Sequence, residues 1–248
     1  MIIIKTRDEI RKMRESGRIA ARVRDELAAM VAPGITTREL DRKAEKLIES
    51  LGAKSAFLGY HGYPGQVCIS IDSEVVHGIP GDRRIELGQI VSLDVGVVYD
   101  GFVGDTATTV MVGVTDPDVV RLVRSTELAL AAGVAMACSG KRLGDLSHAV
   151  EEVVVHAGFS VVRDFVGHGI GRKMHEDPQI PNYGTPGRGP KLKIGMTLAI
   201  EPMVNMGASA VEVLADGWTV RTLDGKPSAH FEHTVAIGED GPEILTVA

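Results

Sequence analysis

At 248 residues, with 44% hydrophobic and 24% charged side chains, the chain has the make-up of an ordinary soluble globular protein and not of a fibrous or disordered one. Its net charge of −6 argues against nucleic-acid binding by bulk electrostatics, which needs clustered Lys and Arg, though not against a local basic patch. Two cysteines, Cys68 and Cys138, make no disulfide framework and suit a reducing compartment, and the sequence shows neither a signal-peptide core nor about 18 consecutive apolar residues. A cytosolic protein without a membrane partner is expected.

In chain order, Thr6-x-x-Glu9 fits a capping box, in which both side chains satisfy free amides at a helix start. The pattern returns at Thr36-x-x-Glu39. Leu40, Ala44, Leu47, Ile48 and Leu51 then form one apolar helix stripe, which Gly52 would end. Strands are expected at roughly 67–71, 90–98 and 102–112. Asp116 with Pro117 reads as a cap followed by proline at the first helical position, opening a helix to about residue 137.

A shift of 106 residues lays Gly34 on Gly140, Leu40 on Leu146, Glu45 on Glu151, Leu47 on Val153, Ile48 on Val154 and Gly52 on Gly158. The stretches "PGITTRELDRKAEKLIESLGA" and "SGKRLGDLSHAVEEVVVHAGF" thus look like two copies of one helical unit; two amphipathic helices sharing a period by chance is the alternative. The period is too long for a solenoid, and no low-complexity linker intervenes. A single α/β domain over 1–248 is expected, with related halves of roughly 1–115 and 116–248.

The strand pair in "LDVGVVYDGFVGD" carries an acid towards each end, Asp94 and Asp105. A carboxylate in an apolar strand is costly unless a cation or several donors meet it. With Asp100-Gly101 as a two-residue turn, Tyr99 faces Phe102 and Asp94 faces Ala107. Both acids then leave one face as diagonal neighbours, about 7–8 Å apart at Cβ or less. A one-residue bulge would put them on opposite faces.

Downstream, "FVGHGIGRKMHEDP" offers His168 and His175, "LAIEPMV" offers Glu201 and "HFEHTVAI" offers Glu232. Each alone is a weak signal, since a single buried Glu more often bonds backbone than metal. "GHGIG" lacks the spacing and preceding strand of a phosphate loop. Together Asp94, Asp105, His168, Glu201 and Glu232 make chemical sense. Four ionised carboxylates in one small site would protonate without counter-charge. Two divalent cations supply it, and oxygen donors with one nitrogen suit Mn, Fe, Co or Zn. Such a pair activates water beside a polarised carbonyl.

The stretches "GYHGYP", "VVHGIP", "LDVGVVYDGFVGDTATT", "GHGIGRKMHEDPQIPNYG", "GMTLAIEPMV", "DGWTV" and "FEHT", in this order, resemble those of type I methionine aminopeptidases, and the N-terminal helices fit too. The resemblance implies a pita-bread fold: two pseudo-symmetric α/β halves, a central antiparallel sheet and flanking helices around a dinuclear metal centre. It implies removal of initiator methionine from nascent chains when the second residue is small, by a monomer that meets its substrate at the ribosome. It assigns Asp94, Asp105, His168, Glu201 and Glu232 as metal ligands. His77 would contact the scissile amide, His175 would steady the tetrahedral intermediate, and Glu201 would also shuttle the proton.

Phe57, Tyr60, Tyr63, Cys68, Met174 and Trp218 fall on the methionine pocket, where aromatic and sulfur surroundings favour a thioether. Without the resemblance these aromatics read as core packing. Phe57 stands where some relatives have cysteine and Met174 where an aromatic is common. Asp72 stands where bacterial relatives often carry asparagine beside a monovalent-cation site. Two rivals remain. A prolidase or Xaa-Pro aminopeptidase shares the fold but usually carries an extra N-terminal domain. A non-catalytic peptide-binding module would be expected to lose metal ligands.

Overall fold

The computed structural model describes residues 1–248. The first part of the chain runs α1 (Arg7–Met30), α2 (Thr37–Ser50), β1 (Lys54–Ser55), a 3-10 turn (Tyr60–Gly62), β2 (Cys68–Ile71), β3 (Glu74–Val76), β4 (Ile90–Tyr99) and β5 (Phe102–Met111). The rest runs α3 (Pro117–Met136), α4 (Leu143–His156), β6 (Ser160–Val161), β7 (Gly167–Gly169), β8 (Glu176–Ile180), β9 (Thr197–Ile200), β10 (Met203–Asn205), β11 (Val211–Val213), β12 (Val220–Thr222), β13 (Ser228–His230), β14 (Glu232–Ile237) and β15 (Pro242–Ile244).

Local chemistry sets the helix starts. Thr6 and Thr36 each accept from the backbone N–H three residues on, and Glu9 and Glu39 close both boxes from the other side. Asp116 caps α3 by accepting from the Asp118 N–H, with Pro117 behind it. The helix α4 starts and ends 106 residues after α2, and β6 starts and ends 106 after β1.

The main sheet is antiparallel in the order β1-β4-β5-β14-β9-β7-β8, with β2 also on β4 and β15 also on β14. Strand alternation then separates two faces. In β4, Val91, Leu93, Val95 and Val97 pack with Leu27 of α1 and Leu40 and Ile48 of α2. On the other side of the sheet centre, Leu198, Ile200 and Val235 pack with Leu122 and Leu130 of α3 and Leu146 of α4. Two helix pairs thus cover one face, which leaves Asp94, Asp105 and Glu232 on the other. Gly104 allows α1 to come close: a Cβ there would lie 2.6 Å from the Ser16 carbonyl and Gly17 amide of α1. Two small sheets, β13-β10-β6 and β11-β12-β3, complete the architecture.

The central hairpin has the register expected of an Asp100-Gly101 turn: Tyr99 faces Phe102, Asp94 faces Ala107, and Gly96 faces Asp105. Asp100 and Gly101 both take positive φ, +46° and +77°, as the mirror-image turn requires. The elements differ from the expected bounds by a residue: β5 stops at Met111, α3 at Met136, and β2 starts at Cys68.

Candidate active site

Five neighbouring strands each deliver one group. Across the sheet, β4 supplies Asp94, β5 Asp105, β14 Glu232, β9 the Glu201 that follows it, and β7 His168. Register brings them level: Asp94 and Glu232 both face Ala107, and His168 faces Ala199, two residues before Glu201. Ligand atoms of Asp105, His168 and Glu232 all lie within 4.8 Å of one another. His168 Nε2 is 3.5 Å from Glu201 Oε1 and 4.0 Å from Asp105 Oδ2.

Hydrogen bonding fixes what His168 offers. Its Nδ1 is 2.9 Å from the Gly169 carbonyl, an acceptor, so Nδ1 carries the proton and donates it. The Nε2 lone pair therefore points at carboxylates that are themselves acceptors. Burial also lowers its pKa to about 4, which keeps the ring neutral at pH 7. Acceptors aimed at acceptors need something positive between them.

The carboxylates say the same. Asp94 Oδ1, Asp105 Oδ1 and Glu232 Oε1 are buried without a hydrogen-bond partner, where buried polar atoms are normally satisfied. Burial, then the neighbouring carboxylates, push Asp94, Glu201 and Glu232 well above the usual carboxylate range, and burial raises Asp105 to about 7. A divalent cation would reverse that shift. Orphaned oxygens, one imidazole nitrogen and a second-sphere carbonyl on the far ring nitrogen together fit a hard or borderline divalent metal.

The cluster floors a cavity of about 150 Å³ whose walls include Phe57, Tyr60, Tyr63, Cys68, His77, Met174, His175 and Trp218, so all the expected ligands, the two histidines and the pocket residues reach one space, while Asp72 lies outside it. That volume suits one apolar side chain, about the size of a benzene-binding cavity. Tyr63 stacks edge-on against Trp218 at 5.1 Å and turns its hydroxyl away to donate to the Gly78 carbonyl at 2.9 Å. The cavity thus receives its apolar ring.

Two histidines flank the mouth. The His175 ring is 4.3 Å from that of His168, and its Nδ1 lies 2.6 Å from the Tyr60 hydroxyl. His77 takes a left-handed φ of +62°, rare for a side chain with a Cβ, and its ring packs edge-on to Phe165 and Trp218. Burial lowers the His77 pKa to about 4. Asp72, also left-handed at φ +55°, spends its Oδ1 on the Ile90 N–H at 3.0 Å.

Sequence reasoning missed Val76, Phe165, Val166 and Met203, which also line the cavity. It missed Gly96, although a glycine inside a strand signals close approach. A Cβ there would sit 2.6 Å from the Phe57 ring and 2.9 Å from Met174 Cε, so its absence makes room for both. His230 was missed too. It is buried, and its Nε2, 3.9 Å from Glu201 Oε2, has no hydrogen-bond partner.

The profile of metallopeptidase family M24 matches residues 11–239. Methionine aminopeptidase 1 of Bacillus subtilis (strain 168) is 52% identical, covering 99% of this chain and 99% of its own. The crystal structure of methionine aminopeptidase from Thermotoga maritima superposes with a TM-score of 0.98 at 49% identity, covering all of both chains. Prolidase from Pyrococcus furiosus gives a TM-score of 0.81 at 26% identity, with 99% of this chain matched to 66% of that one.

Proposed function

This chain belongs to metallopeptidase family M24, with the pita-bread architecture of its relatives, and on that premise we propose that it removes the N-terminal methionine of other polypeptides when the second residue is small. The observation that carries the reading is the cavity: a space for one apolar side chain, walled by aromatic and sulfur groups, that opens onto the carboxylate cluster. Full-length identity of about half to a methionine aminopeptidase supports it further.

In this reading Asp94, Asp105, His168, Glu201 and Glu232 hold divalent metal, drawn from Co, Mn, Fe or Zn. Four carboxylates with one neutral imidazole support two ions, since that number balances the charge. Metal there supplies Lewis acidity, which makes water nucleophilic at neutral pH and polarises a carbonyl. The chain's own groups do the rest. Tyr63, Cys68, Trp218, Phe57 and Met174 enclose the methionine side chain and hold the reacting carbonyl over the cluster. His175, its Nδ1 engaged by Tyr60, presents Nε2 to the oxygen where negative charge develops. His77 hydrogen-bonds the scissile amide. Glu201 takes a proton from the attacking water and returns it to the leaving amine.

The substrates are nascent-chain N-termini, met at the ribosome by a monomer in the cytoplasm; the pair of free cysteines and the lack of any helix long and apolar enough to cross a membrane are compatible with that setting. Asp72, whose Oδ1 already accepts the Ile90 N–H, departs from the asparagine that bacterial relatives often carry beside a monovalent-cation site. The chain is read as one domain over 1–248, its halves related by the offset of 106 residues between α2 and α4.

A peptide panel tests the activity. Met-Ala-Ser should lose its methionine with at least one divalent metal, Met-Leu-Ser should react at least tenfold more slowly, and Ala-Pro-Ser should be left intact. Preferential cleavage of Ala-Pro-Ser would instead establish an Xaa-Pro aminopeptidase, and no cleavage in a protein that takes up no metal a peptide-binding module.

A further inference from the structure

Glu176, the residue after His175, forms a buried ion pair with Lys5 that no step above uses. Lys5 Nζ donates to Glu176 Oε2 at 2.6 Å, and the two side chains are only 3% and 4% exposed. The pair joins distant parts of the chain. The Lys5 backbone N–H donates to the Gly195 carbonyl at 2.8 Å, which fixes the N-terminal segment beside the loop that leads into β9. The other oxygen of Glu176, Oε1, accepts the N–H of Arg172 at 3.0 Å and of Lys173 at 3.3 Å. One carboxylate therefore closes the 171–175 loop between β7, which carries His168, and β8. His175 is the last residue of that loop and immediately precedes Glu176.

The packing leaves little slack. A Cβ at Gly171 would lie 2.6 Å from Lys5 Cε and 2.7 Å from Glu176 Oε1, so the loop backbone rests directly on the pair. Two loop amides facing water could be satisfied by water. Here they are satisfied by a charge whose burial costs several kcal/mol unless a partner meets it. Ion pairs of this kind add little stability over apolar groups of the same shape, and in several proteins their contribution is a single geometry.

We propose that Lys5–Glu176 is a positioning pair for catalysis: Lys5 locks Glu176, Glu176 closes the 171–175 loop, and the closed loop aims the His175 imidazole. The proposal rests on the role given to His175 above. It makes the N-terminal segment part of the active-site scaffold.

Lys5→Met and Glu176→Gln test it, with Lys5→Arg as the charge-keeping control, all in the metal-loaded full chain. In Lys5→Met and Glu176→Gln, kcat on Met-Ala-Ser is expected to fall at least tenfold while KM and metal content hold, since misplacement of about 1 Å costs up to a hundredfold. A tetrahedral phosphonate analogue of methionine should lose affinity by a similar factor, and methionine itself should not. Amide exchange at Arg172 and Lys173 should quicken while β4 and β5 stay protected, and Lys5→Arg should recover most of kcat. A uniform rise in exchange across the molecule with kcat unchanged would make the pair a brace only and overturn the proposal. Where a single variant fails to fold, the double variant Lys5→Met with Glu176→Gln leaves no lone charge; wild-type kcat in that protein would also overturn it. Inactivity of the wild-type chain on Met-Ala-Ser with every metal would defeat the functional reading instead, and the loop-exchange result would stand separately from it.

Discussion

His168 and His175 are neighbours with different hydrogen-bond partners. The Nδ1 proton of His168 is committed to a backbone carbonyl, which leaves Nε2 facing the carboxylates; Nδ1 of His175 is committed to a tyrosine hydroxyl at the mouth. His168→Ala is expected to lose metal by elemental analysis. His175→Ala should keep its metal and lose kcat by about two orders of magnitude, as removal of one oxyanion donor does. Equal metal loss in both would contradict the division. Asp105 gives a test in pH. Its folded pKa of about 7 lies above the unfolded carboxylate value of 3.8, so in metal-free protein the folded state keeps a proton that the unfolded chain releases. The stability associated with Asp105 is then fully present below about pH 4 and lost as pH rises to 7. Asp105→Asn, which cannot ionise, should gain on wild-type apo-protein across that window, by at most about 1.4 kcal/mol per pH unit, and lose the gain when metal is added. Denaturation curves at three pH values, with and without metal, measure it.

Among the elements, the β4–β5 hairpin was legible because both of its determinants are local. Asp100-Gly101 sets the register, and the valines of β4 set which face is buried. The capped helices were legible for the same reason. The β7–β8 hairpin was not. Its strands hold three and five residues, a register shift follows His168, and the Glu176 carboxylate that accepts its loop amides is paired with Lys5, 171 residues earlier. The left-handed backbone of His77 was equally hidden, since no turn residue announces it. That Asp94, Asp105, Glu201 and Glu232 share one cluster was legible because carboxylates in apolar strands are conspicuous. The order β4-β5-β14-β9-β7, which brings those acids level, depends on long-range pairing that no local pattern encodes. Gly96 offers a test at this scale. Gly96→Ala should displace Phe57 and Met174 into the pocket, costing about 1–3 kcal/mol of stability. KM for Met-Ala-Ser should rise, and adding Phe57→Leu should restore it. Additive rather than compensating effects would show that Gly96 does not shape the pocket.

For the molecule as a whole, two helix pairs back one sheet, and the carboxylate cluster lies on its other face, around the junction of β5 with β14. The N-terminus reports on specificity. Met1 is followed by Ile2, a bulky β-branched residue that packs on the larger core, while the Met1 ammonium contacts Asp177. The chain should keep its own Met1 when made untagged in a cell with active enzyme, and Ile2→Ala should be trimmed during synthesis. Intact-mass spectrometry separates the two, and trimming of the wild-type form would contradict the small-second-residue rule. The most direct measurement is a metal titration of stripped protein, with bound metal and methionine release from Met-Ala-Ser followed together. Turnover should be absent in stripped protein, rise with bound metal to a plateau at no more than two ions per chain, and vanish with metal binding in Asp105→Asn. Full turnover in protein shown to hold no metal would contradict the central claim.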